Sequence, residues 1–207
     1  IHMKSISNLM AQQPLLPIIQ ANNVEQGVNI AKAMFAAGLT VVEVVLRTPE
    51  SLQALTAIKR ALPELIVGAG TVTDEDILKQ AIEAGADFIV TPATSTKLLG
   101  YLVDCGVPVL PGVSNTADIL LAREFGFTEM KLFPASLSGG APFLKAVSSI
   151  FQDVIFCPTG GITQANKQDY LSLPNVFAVG GTWVCQPEWI NIENWQAITN
   201  SCLSAIN

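Results

Sequence analysis

The sequence predicts an α/β protein in which a single (β/α)8 barrel, of the TIM-barrel class, makes up the domain. Short runs rich in Val, Ile, Leu and Phe recur along the 207 residues, and helical patterns lie between them. The starts of these runs lie roughly 20 to 26 residues apart, about the length of one strand, one crossover helix and two loops. Because the runs are apolar on both faces, they indicate a parallel sheet covered by helices.

Eight such runs favour a closed barrel over a doubly wound open sheet, although the two have similar local statistics. Gly, Pro or Thr closes each run. The predicted strands are Leu15 to Gln20, Val41 to Arg47, Leu65 to Thr71, Phe88 to Pro92, Pro108 to Val113, Glu129 to Ala135, Val154 to Gly161 and Val176 to Trp183.

Start and stop signals define the helices between the strands. The predicted helices are Val24 to Ala37 after Asn23, Glu50 to Leu62 after Thr48-Pro49, Asp74 to Ala84 after Thr73, Thr116 to Phe125 after Asn115, and Ile192 to Ile206. Glycines that suit a left-handed cap end helical patterns at Gly38, Gly85, Gly106 and Gly126.

The overall composition argues against several classes of partner. The formal net charge is −6, and the 11 Lys and Arg residues form no run or stripe, so we expect neither a nucleic-acid nor an anionic-membrane partner. No apolar run approaches the roughly 20 residues of a spanning helix, and a secretory signal is lacking. We therefore expect a cytoplasmic protein that captures any anionic substrate locally.

The cysteines and the single histidine point away from a metal site. Cys105, Cys157, Cys185 and Cys202 are scattered without a CxxC pair, as expected of reduced, mostly buried thiols. Ile1-His2-Met3 resembles the remnant of an expression tag, so we expect residues 1–2 to be foreign and residues 3–207 to form one domain. Catalysis and metal binding through a native histidine are then not expected.

A lysine interrupts the apolar run Glu129-Met130-Lys131-Leu132-Phe133-Pro134-Ala135 in the sixth predicted strand. Moving an ammonium out of water is costly, so a buried lysine tends to lose its proton and become a nucleophile. Period-two alternation places Lys131 and Phe133 on one face of the strand. A lysine whose ammonium reaches water past the strand end is the alternative that this stretch leaves open.

More polar side chains lie at or near the carboxyl ends of other strands, where barrels place their chemistry. Glu43 and Arg47 share a face of the second strand, so if Arg47 points into the barrel mouth, Glu43 lies deeper on that side. A buried carboxylate near a lysine is either a structural ion pair or an acid-base group. Thr71 and Pro92 end the third and fourth strands and shape the rim.

Paired glycines follow the last two strands, as Gly160-Gly161 and as Gly180-Gly181 before Thr182. Such turns let backbone N–H groups converge on a phosphate, although each is also compatible with a plain turn. A pocket with a lysine, a carboxylate, an arginine and a phosphate cradle fits Schiff-base chemistry on a phosphorylated carbonyl compound. We expect no metal and no cofactor.

Five segments, met in order between about Leu15 and Trp183, resemble the class I 2-keto-3-deoxy-6-phosphogluconate aldolase family. They are Glu43 to Thr48, Gly68 to Val72, Lys131 to Ala135, Pro158 to Ile162 and Gly180 to Trp183. The resemblance implies a homotrimeric barrel that reversibly cleaves this phosphorylated keto acid to pyruvate and glyceraldehyde 3-phosphate. It also implies activity on 4-hydroxy-2-oxoglutarate in some members.

The resemblance further implies roles for individual residues. Lys131 would form the Schiff base with the substrate ketone, and Glu43 would act as the acid-base group through a water. Arg47 and Thr71 would hold the keto-acid carboxylate, with Pro92 and Phe133 packing around the pyruvyl end. The residues that would take the phosphate are Gly160, Gly161, Gly181 and Thr182. Thr182 replaces a common serine, and Gln20 stands where some members carry an arginine.

Three alternatives remain open at the level of sequence. The first is an aldolase for the galactonate epimer of the substrate, although Leu46-Arg47-Thr48 favours the gluconate enzyme. The second is a metal-free isomerase in which Glu43 abstracts a proton and Lys131 is a non-covalent electrophile. The third is a sensor that binds a phosphorylated ligand, which has no need of a lysine facing the pocket.

Overall fold

Parallel strands form a closed barrel, as the sequence predicts. The computed structural model describes residues 5–207, so the predicted tag remnant lies outside the described residues. The strands are β1 (Leu15–Ile19), β2 (Val41–Val45), β3 (Ile66–Gly70), β4 (Phe88–Val90), β5 (Val109–Leu110), β6 (Gly112–Val113), β7 (Glu129–Leu132), β8 (Ile155–Phe156) and β9 (Val179–Gly181). Each predicted strand is present. Most of them end earlier than predicted at the carboxyl end, where the chain leaves the sheet for the rim of the barrel.

The fifth predicted strand is divided at Pro111 into β5 and β6. Proline has no N–H to donate to a strand ladder, so it interrupts the regular pairing. β5 pairs with β4, whereas β6 pairs with β7. The two segments therefore occupy one strand position, which gives eight positions around the barrel.

Hydrogen-bonded neighbours run in the order β5-β4-β3-β2-β1-β9 and β6-β7-β8. Two parallel bridges complete the circle: Phe156, the last residue of β8, pairs with Val176, and Thr159, just beyond β8, pairs with Gly180. In the second, the Gly180 N–H donates to the Pro158 carbonyl at 2.8 Å. Closure brings the carboxyl ends of β1, β2, β7, β8 and β9 to one mouth.

The helices cover the outside of the barrel. They are α1 (Ile6–Met10), α2 (Val24–Ala36), α3 (Ser51–Ala61), α4 (Glu75–Glu83), α5 (Thr96–Leu102), α6 (Thr116–Glu124), α7 (Gly140–Val147), α8 (Lys167–Leu171), α9 (Pro187–Asn191) and α10 (Trp195–Ile206), with a 3-10 turn at Ser136–Ser138. The predicted glycine caps are confirmed, since Gly38, Gly85, Gly106 and Gly126 all have φ between 88° and 101°.

Three helix predictions need correction. Asp74, not Thr73, caps α4, and its carboxylate accepts from the Ile77 N–H at 2.9 Å. The helix predicted over Glu50 to Leu62 is α3, which begins at Ser51; its N-cap residue is Glu50, and no side chain caps it. The predicted last helix from Ile192 is instead the separate α9 and α10, because Glu193 takes a left-handed φ of 55° that no α-helix accommodates.

The short helix α1, which the sequence patterns did not predict, closes the amino end of the barrel. Ile6 and Met10 are buried and pack in one cluster with Phe88 from the barrel interior. The Glu129 carboxylate, at the start of β7, accepts from the N–H groups of Ile6 at 2.8 Å and Ser7 at 3.1 Å. The cavities that concern function therefore lie at the opposite, carboxyl end. Within residues 5–207 no helix is both long and apolar enough to cross a bilayer.

Candidate active site

Lys131 points into the barrel and not past the end of its strand. The residue is 3% exposed, and its Nζ lies 4.7 Å from the centroid of the Phe133 ring. Both side chains therefore share the inward face, as the alternation predicts. On the neighbouring β6, Gly112 is the residue that pairs with Lys131, so no side chain crowds the lysine at that register. The solvent-reaching alternative is excluded by this burial.

Glu43 lies on the other side of the barrel interior and faces the same amine. It is 1% exposed, and its Oε2 lies 4.0 Å from Lys131 Nζ. That oxygen has no hydrogen-bond partner among the described residues. Gly70 on the adjacent β3 provides the room, because a Cβ there would overlap the Glu43 carboxylate. A buried carboxylate with an unused oxygen beside an amine is placed to accept and return a proton.

Cys157 is a second potential nucleophile close to this pair. Burial, and secondarily the Glu43 carboxylate, raise the pKa of its thiol to about 12, while Lys131 opposes the shift. The thiol is therefore protonated near neutral pH, and a thiol reacts far more slowly than a thiolate. The thiol is therefore a poor candidate nucleophile, and the lysine remains the candidate at this site.

A cation and a hydroxyl stand together at the mouth of the barrel. Arg47 Nε donates to Thr71 Oγ1 at 3.0 Å. Thr71 has φ of 62°, a left-handed conformation that costs a β-branched residue on the order of 1–3 kcal/mol and is typical of functional sites. The rest of the guanidinium bonds no other group within residues 5–207, so it can bind a carboxylate through two N–H groups.

The Gly160-Gly161 turn supplies backbone donors next to this cation. The predicted turn at Gly180-Gly181 is wrong, because both glycines belong to β9 and neither has a positive φ. Gly160 and Gly161 have φ of 106° and 75°, which side chains rarely adopt. A Cβ at Gly161 would overlap Ser136, and one at Gly181 would overlap the Trp183 ring. Within residues 5–207 the N–H groups of Gly160 and Gly161 have no acceptor. The Gly160-Gly161 turn therefore offers two unpaired N–H groups to an anion.

A cavity of about 190 Å³ joins these groups. The predicted site residues that line it are Arg47, Lys131, Phe133, Gly160, Gly161, Gly181 and Thr182. The amine, the cation and the Gly160-Gly161 turn thus face one space.

The other three predicted site residues, Glu43, Thr71 and Pro92, do not line the cavity. Glu43 is behind Lys131, and Thr71 reaches the cavity through its hydrogen bond to Arg47. Pro92 does not line the cavity, and its carbonyl carbon packs beside Gly112 instead. The turn after β4 therefore supports the strand next to Lys131 without reaching the cavity.

The sequence analysis assigned no role to Ile18 and Thr159, which also line the cavity. Thr159 is 6% exposed, and its hydroxyl bonds no other described residue. Its inward direction could have been predicted, because Cys157 and Thr159 are two residues apart and alternation gives them the same face. Thr159 thus adds a hydroxyl between the amine and the Gly160-Gly161 turn.

Comparison with known proteins identifies the family of this chain. The family described as "KDPG and KHG aldolase" matches residues 6–201. A 2-dehydro-3-deoxy-phosphogluconate aldolase of Pseudoalteromonas atlantica is 38% identical over 98% of this chain and 94% of its own length. The KHG/KDPG aldolase of Escherichia coli is 37% identical over 98% of this chain and 95% of its own length.

A solved structure extends the comparison to three dimensions. KDPG aldolase of Legionella pneumophila, with pyruvate captured at low pH as a covalent carbinolamine intermediate, superimposes with a TM-score of 0.95. That protein is 37% identical, and the alignment covers 99% of both chains. The barrel fold and the sequence likeness therefore agree over almost the whole chain.

Proposed function

Because this chain belongs to the KDPG and KHG aldolase family, we propose that Lys131 is the amine through which it performs class I aldol chemistry. The reaction is the reversible cleavage of 2-keto-3-deoxy-6-phosphogluconate to pyruvate and glyceraldehyde 3-phosphate. The name of the Escherichia coli relative extends the activity to KHG, which is 4-hydroxy-2-oxoglutarate. The burial of Lys131 in a cavity lined by Arg47, the Gly160-Gly161 turn and the end of β9 carries the proposal.

The proposed chemistry begins with attack of Lys131 Nζ on the C2 ketone of the substrate. The carbinolamine loses water to give a protonated imine, which accepts the electron pair of the C3–C4 bond. The C4 hydroxyl gives up its proton as this bond breaks, and glyceraldehyde 3-phosphate leaves. The remaining enamine takes a proton at C3, and water then hydrolyses the imine to free pyruvate and the amine.

Glu43 is the proposed carrier of these protons. Its Oε2 lies 4.0 Å from the lysine amine and has no other described partner. The separation is longer than a hydrogen bond, which suits exchange through one intervening water. The carboxylate can thus take the proton that the attacking amine releases and deliver it to the carbinolamine hydroxyl. It can then take the proton of the C4 hydroxyl as the C3–C4 bond breaks and deliver it to C3 of the enamine.

The two anionic ends of the substrate have separate proposed sites. Arg47, steadied by Thr71, binds the keto-acid carboxylate, and Phe133 packs beside the pyruvyl carbons. The phosphate lies on the unpaired N–H groups of Gly160 and Gly161, beside Gly181 and Thr182. We also propose that the turn bearing Pro92 supports the pyruvyl end by fixing Gly112 from behind.

Reductive trapping tests this proposal. The protein is incubated with pyruvate and sodium borohydride, and the adduct is measured by intact mass and then located by peptide mapping. We expect one pyruvyl adduct on Lys131 and none in Lys131→Ala. Lys167 is an internal control, because it is also buried, at 5% exposure, but donates to the Ala205 carbonyl at 2.6 Å away from the cavity. An adduct on Lys167, or no adduct, would overturn the assignment.

Homotrimeric assembly and a cytoplasmic location complete the proposal, and the family resemblance supports them. Two apolar side chains that an interface would cover are Leu137, in the 3-10 turn before α7, and Ile150, in the turn after α7; they are 85% and 67% exposed. Light scattering after size-exclusion chromatography tests the assembly. Three copies per particle are expected, and a monomer at micromolar concentration would exclude it.

A further inference from the structure

The Gly160-Gly161 turn is held through its two carbonyl groups. The Gly160 carbonyl accepts from the Ser136 N–H at 3.1 Å. The Gly161 carbonyl accepts from Asn166 Nδ2 at 2.9 Å, so here a side chain and not the backbone makes the contact. A pair of glycines with positive φ has access to many backbone conformations unless other groups restrict it. Asn166 therefore restricts the turn at its carboxyl end.

Asn166 also takes part in the helical turn that leads into α8. The Lys167 N–H donates to the Thr163 carbonyl at 3.0 Å, so this turn begins at Thr163. Asn166 Oδ1 accepts from the Thr163 N–H at 2.7 Å, while Thr163 Oγ1 accepts from the Asn166 N–H at 3.3 Å. Such a reciprocal capping box needs only an acceptor at its fourth position, where Glu or Gln is usual. Asparagine also carries a donor, and here that donor bonds the Gly161 carbonyl.

The last turn of α10 anchors the same segment. Gln164 Nε2 donates to the Ser204 carbonyl at 2.9 Å. Lys167 Nζ, which is buried, donates to the Ala205 carbonyl at 2.6 Å. Both carbonyls lie at the carboxyl end of a helix, where no N–H of the helix itself is available to them. Asn166 thus stands between two side chains anchored to α10, which gives its amide a fixed place beside the glycine turn.

The contact with the Gly161 carbonyl also orients the N–H of Ile162. The two groups belong to one trans peptide unit, so they point in opposite directions. Ile162 lines the cavity above Lys131, and its N–H has no acceptor within residues 5–207. Together with the N–H groups of Gly160 and Gly161 it makes three successive unpaired donors. Successive backbone N–H groups of this kind form a concave binding site for an anion.

We propose that Asn166 is a positioning residue for the phosphate of the substrate, and that Ile162 contributes a third backbone N–H to the phosphate site. The inference rests on the proposed function, which places the phosphate at Gly160 and Gly161. Asn166 acts without touching the phosphate. Its amide holds the peptide between Gly161 and Ile162, so the donors need no reordering when the substrate binds, and affinity gains from this preorganisation.

Asn166→Ala removes both hydrogen bonds of the amide and tests the proposal. We expect KM for the phosphorylated keto acid to rise about tenfold, equivalent to about 1.4 kcal/mol, with kcat retained, because the phosphate contacts are the same before and during bond cleavage. The inhibition constant of inorganic phosphate, added as a competitor of cleavage, should rise by a similar factor. Borohydride trapping of pyruvate, which carries no phosphate, should be unchanged and reports that Lys131 is intact.

Thr163→Val is the matched control on the same segment. It removes the hydroxyl half of the capping box and leaves both bonds of the Asn166 amide in place. We therefore expect a lower Tm, from the weaker helix start, with KM and the inhibition constant unchanged.

Asn166→Asp is a second variant, which keeps the acceptor for the Thr163 N–H and loses only the donor to Gly161. Its KM should also exceed that of the unmodified protein. Both are measured in about 1 M salt, where a Debye length of about 3 Å screens the added charge.

An unchanged KM in either Asn166 variant overturns the inference, and Asn166→Asp decides alone if Asn166→Ala does not fold. An equal rise of KM in Thr163→Val also overturns it, because the effect would then belong to the helix start and not to the amide. If the unmodified protein traps pyruvate and cleaves the keto acid while the variants bind phosphate normally, this inference fails and the proposed function stands. A protein that traps no pyruvate contradicts both.

Discussion

The amine of Lys131 lies 4.0 Å from Oε2 of Glu43, and the two residues are 3% and 1% exposed. They come from β7 and β2, which do not pair with each other, so the barrel interior and not a strand ladder brings them together. A carboxylate held at this distance can exchange protons with the amine through one water and still leave room for a substrate carbon on the amine. This arrangement determines the first prediction.

Glu43→Gln keeps the size of the side chain but removes the proton carrier. We expect kcat for cleavage of the phosphorylated keto acid to fall by about 10²–10⁴, the usual contribution of a positioned acid-base group. The measurement is the steady-state rate of pyruvate release. Glu83→Gln, on the exposed face of α4, is the matched control and keeps the full rate. Full activity in Glu43→Gln would remove Glu43 from the mechanism.

Gly70→Ala tests the space that Gly70 leaves for this carboxylate. A Cβ at Gly70 overlaps the Glu43 side chain, so we expect both a lower kcat and a lower Tm. Gly100→Ala is the control, because nothing lies within 4 Å of its Cβ and its φ is helical. That change stabilises a helix by roughly 0.5–1 kcal/mol. Tm and kcat are measured for both variants. A Gly70→Ala protein with unchanged Tm and kcat would contradict the packing argument.

Gly161→Ala tests the phosphate site. Both Gly161 and Gly38 have a left-handed φ, of 75° and 90°, so alanine strains the backbone at each by roughly 1–2 kcal/mol. At Gly161 the new Cβ also overlaps Ser136, whereas nothing lies near Gly38. We expect Gly161→Ala alone to raise KM for the phosphorylated substrate by tenfold or more, as about 1.4 kcal/mol of lost binding requires. Pyruvate trapping, which involves no phosphate, should persist, and equal KM values in the two variants would argue against a phosphate at this turn.

Thr71→Val removes one hydroxyl and keeps the shape of the side chain. Arg47 then loses the acceptor that holds its Nε at 3.0 Å, so the guanidinium samples more orientations. We expect KM for pyruvate, measured in the synthetic direction, to rise about tenfold, since one hydrogen bond to a charged group contributes about 1.5–3 kcal/mol. Thr40→Val, an exposed threonine at the other end of β2, should leave KM unchanged. An unaltered KM in Thr71→Val would show that Arg47 needs no such support.

Stability should fall at alkaline pH because of three buried thiols. Burial raises the pKa of Cys157, Cys185 and Cys202 to about 12 each, against about 9 for a thiol in the unfolded chain. Between these values the unfolded chain binds fewer protons than the folded one, so the free energy of unfolding decreases as pH rises from about 9 to 12. Each thiol adds up to about 1.4 kcal/mol per pH unit to this slope.

Urea unfolding at several pH values measures that slope. Replacement of the three cysteines by alanine is expected to flatten it, while Cys105→Ala, at a half-buried position, serves as a partial control. Since Lys and Tyr titrate in the same range, the informative quantity is the difference between the protein and its triple variant. If the free energy of unfolding falls equally steeply with pH in the protein and in the triple variant, the thiols do not cause the loss of stability.

The sequence determined what depends on local pattern. Period-two alternation placed Lys131 and Phe133 on one inward face, and the glycine caps fell where the structure has left-handed residues. The spacing of apolar runs predicted the number of strand positions and the barrel class. These features follow from interactions within a few residues of each other, so a single sequence suffices to predict them.

The tertiary structure decided what depends on residues far apart in the chain. Closure of the barrel fixed the distance of 4.0 Å between Lys131 Nζ and Glu43 Oε2. It also placed Pro92 where it does not line the cavity. It brought Gln20 and Gln186 to a second cavity at the barrel mouth, across 166 residues of sequence. No periodicity encodes these contacts, because they arise from strand order, register and shear around the whole ring. The candidate nucleophile could therefore be predicted from the sequence, whereas its distances to the other site residues were set only by the closed barrel.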